Sequence, residues 1–249
     1  MIMKHLLRYS PVWQAGGAPG AYVTRADVER EPWMAAITQR NGYVTVTVTP
    51  EALENEALDA ARDGDAYLDI TTACAPSPAL HDWPHGADAS RYADAIAFAG
   101  EDLVRLWLAR TPPKQRTTLD PARLARHLLS NPPYAVLYAH AAAAAVLRWA
   151  ESPPGEFRPG RLSGPGELML LDVLSWLPER VASAARRERP DMLARYLETL
   201  ASRTVDIIST RRFSPGQVPD SERLWLVLAA KTGLAAGLGL LGIAAPERL

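Results

Sequence analysis

The chain has 249 residues, 48% of them apolar and 22% charged, so it can bury a substantial core and falls outside the disordered class. One cysteine, Cys74, excludes an internal disulfide framework and fits a reducing cytoplasm. The formal net charge is −1, yet residues 1–99 hold 7 Lys/Arg against 13 Asp/Glu while residues 100–249 hold 20 against 15. A positive excess on one half permits a nucleic-acid surface without requiring one, because solvated charge needs no partner.

The first forty residues carry Gly16-Gly17, Pro19-Gly20, Trp13 and Trp33 with no clear period. The glycines lack a preceding strand and a following Lys-Ser/Thr, so they make no phosphate loop. Asn41-Gly42 is a turn signal, and Tyr43–Thr49 alternates Val and Thr; Val44, Val46 and Val48 share one face of a half-buried strand. Thr49-Pro50-Glu51 opens a helix expected to reach about Arg62 and to stop at Asp63-Gly64-Asp65. Residues 71–90 mix Pro, Ser, Gly and His without period and read as a linker between a small α/β segment, 1–70, and a helical domain, 91–249. Within the linker, Cys74, His81, Asp82 and His85 could suggest a metal site or a Cys-His nucleophile. Pro84 argues against a helix presenting both His rings, and no orienting third group is evident, so no metal and no cofactor are expected.

From about Ser90 helices follow one another. Leu103, Leu106, Trp107 and Arg110 lie on one helical face, closed by Thr111-Pro112-Pro113. Asp120-Pro121 starts a helix expected to end near Ser130, and Asn131-Pro132-Pro133 precedes a long one, Tyr134–Ala150. Gly164–Leu177 is the next, ended by Pro178. A short basic helix then runs to Arg189, and Pro190 begins a long one through about Arg211. Asp220 is a suitable N-cap for the last helix, through Gly237. The most apolar stretch, Leu224–Ala245, holds Lys231 and four Gly, and the first residues show no secretory pattern. A buried helix is expected, with no membrane segment. The fold class is therefore mainly α, a helical bundle preceded by a small α/β segment.

The run from Asn131-Pro132 through Tyr138-Ala139-His140-Ala141 to Val146-Leu147-Arg148 resembles the signature helix of the anticodon-binding (DALR-type) domain of arginyl-tRNA synthetases. Leu238-Gly239-Leu240-Leu241-Gly242-Ile243, with Ala245-Pro246-Glu247-Arg248-Leu249, resembles that family's C-terminus, where Leu249 stands for the usual Met. Leu193–Leu197 with Leu200-Ala201, and Glu101–Arg105 with Leu108–Arg110, match in the same order. A fainter likeness to the family's N-terminal tRNA-binding domain lies at Asn41–Leu53. The family's catalytic core carries HIGH-type and KMSKS-type motifs; neither string occurs, and a doubly wound nucleotide fold cannot be built from the remaining chain. The resemblance thus implies a pseudo-synthetase, not an enzyme, that binds tRNA, arginine tRNA first. It would act as adaptor, chaperone or regulator, for a tRNA-dependent biosynthetic enzyme in one version. Departures from the pattern stand at Ala135 for Tyr, Leu137 for Gln and Ala142 for Arg, and they put standard anticodon reading in doubt.

Unpaired bases are bound by stacking on aromatics and guanidiniums, with cations tracking phosphates. The RNA-binding candidates are accordingly Tyr134 and Tyr138, four apart on one face, with His140, Arg148 and Leu249, and the charges Arg203, Arg211 and Arg212. Arg186, Arg187 and Arg189 are spaced as exposed helical charges beside them. Two bland alternatives stand against this set: Tyr138 and His140 facing the bundle core, and arginines serving only solubility. At the level of function the alternative is a helical protein-interaction scaffold, binding a partner or a second copy as a homodimer through the face that once met the catalytic core.

Overall fold

The computed structural model describes residues 14–15, 17–63, 92–112, 115, 118–150, 153–158, 160–210 and 220–249. The expected linker, with Cys74, His81, Asp82 and His85, lies outside the described residues, as do Arg211 and Arg212.

The sheet is built on the hairpin that Asn41-Gly42 predicts. Both turn residues have positive φ, 53° and 75°, the conformation that Asn-Gly accepts at low cost and that matches the twist of two antiparallel strands. They join β3 (Met34–Arg40) to β4 (Tyr43–Val48), with Arg40 opposite Tyr43. The first strands, β1 (Gln14–Ala15) and β2 (Ala21–Thr24), complete an antiparallel sheet in the order β1-β2-β4-β3. Val44, Val46 and Val48 are buried, as the alternation requires. The first forty residues thus hold three strands that the sequence reading left unassigned.

Helix α1 (Pro50–Asp63) follows at once, with Thr49 Oγ1 accepting from the Ala52 amide at 3.2 Å. It lies against the last helix of the chain and against the helix Pro165–Ser175, so sheet and bundle share one core. Helices α2 (Ala93–Ala99) and α3 (Glu101–Ala109) are separated by Gly100, whose φ of 92° no ordinary helix accommodates.

Two expected boundaries are corrected. The helix after Asp120 does not reach Ser130; α4 is Pro121–Leu124. Asn131 explains the stop, because its side-chain amide donates to the carbonyls of Leu124 at 2.7 Å and Arg126 at 2.9 Å, satisfying acceptors that a continuing helix would use. The change of helix expected at Pro178 comes two residues earlier. Helix α6 (Pro165–Ser175) hands over through Trp176 to α7 (Leu177–Arg186), and Pro178 sits in the first turn of α7, where a missing N–H costs nothing.

The remaining helices, α5 (Pro132–Trp149), α8 (Pro190–Ile208) and α9 (Ser221–Leu240), form the centre of the bundle. By length and composition α9 could cross a membrane, but here α1, α5, α6 and α8 pack around it. Gly237 lets α8 approach closely: a Cβ there would lie 2.5 Å from Cδ2 of Leu197. Beyond α9 the chain turns at Leu241-Gly242, buries Leu241 and Ile243, and returns as an extended tail along α5.

Candidate functional site

Eleven of the eighteen residues of α5 are Ala, Leu or Val, and half of the helix is buried. Val136, Ala139 and Ala143 are at 0% exposure, which leaves a narrow strip for other work. That strip begins with Tyr134. Its ring stacks on His127 at 5.0 Å and 7°, and meets Tyr138 at 5.9 Å and 30°. The three rings thus make a ladder ending at Tyr138, which is 37% exposed.

Tyr138 opens onto a cleft of about 560 Å³ between α5, the end of α8 and the tail. Its floor is Ala141, Ala142 and Ala145; its rim carries Arg148, Trp149, Ile208, Ser209, Glu247, Arg248 and Leu249. Ala142 stands where the resemblance implies an arginine, and its short side chain leaves the floor open. Trp149 is 69% exposed and Leu249 64%, large apolar surfaces that helix and tail hold out to solvent.

The tail wall is fastened by three side chains. His140 is only 2% exposed, and its Nδ1 donates to the Pro246 carbonyl at 2.8 Å. Burial, reinforced by the nearby Lys231 ammonium, holds this imidazole below its ordinary pKa of 6.5 and favours the neutral ring. Arg148 Nη1 donates to the Glu247 carbonyl at 3.0 Å and lies 3.5 Å from Glu247 Oε2. Lys231 Nζ on α9 meets Glu247 Oε1 at 2.7 Å, and that bond draws the carboxyl below its ordinary range.

The sequence candidates therefore divide. Tyr134, Tyr138, Arg148 and Leu249 come together along one strip and cleft. His140 is placed differently from the expectation of an RNA-facing group: its buried ring positions the tail. Arg203 pairs with Asp206 at 3.4 Å one turn from the end of α8, outside the cleft lining. Arg186 pairs with Glu179 at 3.1 Å and Arg189 with Asp191 at 2.6 Å, next to the start of α8. A helix of that length places them roughly 28 Å from Ile208, so they do not join the cleft. Sequence reasoning missed Lys231, Glu247, Arg248 and His127. No local pattern marks any of them: Lys231 reaches Glu247 from α9, Glu247 and Arg248 are brought to α5 by the returning tail, and His127 lies before the helix that carries Tyr134. Among the described residues no group of three or more His, Cys, Asp or Glu is placed to hold a metal.

Fold and site together define a helical-bundle domain in which the long helix α5 and the C-terminal tail enclose an open cleft. Residues 136–249 match the family model of the DALR anticodon binding domain. The chain is 38% identical over 164 residues to the arginine–tRNA ligase of Paenarthrobacter aurescens and 36% over 169 to that of Micrococcus luteus, each alignment covering 63% of this chain. It spans only 30% of the length of those relatives. Thermus thermophilus arginyl-tRNA synthetase superposes with a TM-score of 0.52 at 26% identity, covering 85% of this chain and 33% of that one. A Campylobacter jejuni structure assigned as an arginyl-tRNA synthetase gives 0.54 at 18%, over 63% and 35%, a likeness of fold.

Proposed function

We propose that the chain binds tRNA at the cleft of its DALR-type domain and serves another protein as adaptor, chaperone or regulator without activating an amino acid. The observation that carries this reading is the convergence of Tyr138, Trp149 and Leu249 with Arg148 and Arg248 on one open cleft. Planar rings and apolar surface suit an unstacked base, and guanidiniums suit its phosphates. The relatives are arginine–tRNA ligases, which makes arginine tRNA the first to test and the cytoplasm the natural setting. The non-catalytic part of the proposal is supported by the missing HIGH-type and KMSKS-type strings. A tRNA-dependent biosynthetic enzyme is the proposed recipient. The faint likeness of Asn41–Leu53 to a tRNA-binding segment makes the sheet a second, subsidiary contact.

Filter binding of arginine tRNA should show affinity that falls steeply with salt, since each neutralised phosphate releases a counterion. Tyr138→Ala should cost about 1–3 kcal/mol of binding with an unchanged melting temperature, the loss expected for one stacked base. Arg211→Ala and Arg212→Ala should weaken all tRNAs alike and flatten the salt slope. Arginine-dependent pyrophosphate exchange should be absent.

A second reading has its own observation. Phe98, Leu128 and Leu129 are 64%, 52% and 53% exposed, on α2 and on the stretch after α4, and those two helices pack together. Apolar surface of that kind suits a protein partner or a second copy. Absence of tRNA binding even at low salt would favour this scaffold.

A further inference from the structure

Glu247 stands out within the cleft because it does two separable things. Its backbone carbonyl is an anchor, held by Arg148 Nη1 at 3.0 Å beside the His140–Pro246 bond at 2.8 Å. Its carboxylate bridges two cations from different helices, Lys231 of α9 at 2.7 Å and Arg148 of α5 at 3.5 Å. The carboxylate is 58% exposed, so water already competes for it. Removing it from this bridge leaves the main-chain anchors of the tail in place.

We propose that Arg148 on the rim of the cleft and Lys231, which reaches Glu247 from α9, form an anion site, that its ligand is a phosphate group, and that the Glu247 carboxylate is its built-in competitor. Two cations share one carboxylate, and Arg248, which makes no ion pair among the described residues, adds a third positive charge on the same rim. A phosphate oxygen accepts the same charge-assisted bonds from ammonium and guanidinium as a carboxylate oxygen does. A phosphate entering the cleft therefore exchanges with Glu247 instead of filling empty space, and the site discriminates against weakly bound anions. As applied to RNA, the inference rests on the proposed tRNA-binding role; as an anion site it does not.

The test uses the full chain with Glu247→Gln, which keeps shape and the main-chain anchors but removes the charge. Tripolyphosphate is titrated by calorimetry and arginine tRNA by filter binding, with melting temperatures recorded. Glu247→Gln should bind tripolyphosphate about three- to fivefold more tightly than wild type, the worth of one exposed ion pair. Adding Lys231→Met should cancel that gain. tRNA affinity should rise with it, and the salt slope should steepen by about one counterion. A gain for tripolyphosphate with no tRNA binding by either protein supports the anion site and sinks the tRNA reading. tRNA binding equal in both proteins, with no gain for tripolyphosphate, overturns the competitor role and leaves the tRNA reading standing. Should Glu247→Gln melt early, Glu247→Ala is assayed below its transition; weaker phosphate binding by both variants also overturns the proposal.

Discussion

Burying His140 while giving it one carbonyl acceptor sets the sign of its titration. Its pKa is held below 6.5 by burial, then by Lys231, against the opposing pull of the Pro246 carbonyl and Glu247. The unfolded chain therefore takes up a proton at a higher pH than the folded one, and stability falls as pH drops from about 6.5 towards the lowered value. Above pH 7 this contribution is flat. Asp172 and Glu54 carry the opposite sign, since burial raises both carboxyls and their contribution is lost as pH rises. The informative quantity is the difference between wild type and His140→Gln: melting temperature between pH 7.5 and 5.5 should fall less in the variant. Parallel curves would show that the ring does not titrate with folding. Spacing could place Tyr138 and His140 on α5 but could not assign their faces. Positions 138 and 140 are about 200° apart around a helix, so one had to point away from the cleft. The returning tail, whose path no local pattern encodes, decided which.

At the scale of elements, punctuation residues were read well where their chemistry was local and poorly where it was not. Asp220 caps α9 through the Arg223 amide, and Asn41-Gly42 closes its hairpin, as their own side chains and dihedrals dictate. Asn131 precedes α5 as expected, but its side-chain amide turns back onto the carbonyls of Leu124 and Arg126, and the helix before it is shorter than its start at Asp120 suggested. β2 and β3 went unread because Ala21–Thr24 is short and Met34–Arg40 is rich in Ala with an exposed far end; they are strands because β4 pairs with both. The glycines of α9 are similarly ambiguous in sequence and distinct in space. Gly237→Ala would gain roughly 1 kcal/mol of helix propensity, but its Cβ meets Leu197, which is 0% exposed and has no room to swing aside. Overpacking of about 1–3 kcal/mol should dominate, and thermal melts should show net destabilisation. Gly239 has nothing within 4 Å, so Gly239→Ala should be neutral or stabilising by up to about 1 kcal/mol. Equal effects at the two sites would refute the close α8–α9 approach.

Over the whole molecule, the N-terminal segment and the bundle are joined by polar bonds as well as by apolar burial. The Tyr22 hydroxyl sits 2.7 Å from Ser175 Oγ, its ring lies 5.0 Å from that of Trp176, and Asp172 accepts the Gly20 amide at 2.9 Å. Glu54 on α1 accepts the amides of Gly160 at 2.6 Å and Leu162 at 3.0 Å. Nothing in the sequence of residues 1–63 names these partners, which lie more than a hundred positions away, and the shared core was illegible for that reason. It has a consequence for cooperativity. Because residues of the sheet and of the bundle share one buried core, neither should lose its packing without the other, and unfolding should show a single thermal transition. Tyr22→Phe, which removes the hydroxyl facing Ser175, should lower that one melting temperature by the equivalent of about 1 kcal/mol without splitting it. Two separate transitions would mean that the sheet and the bundle are stable apart.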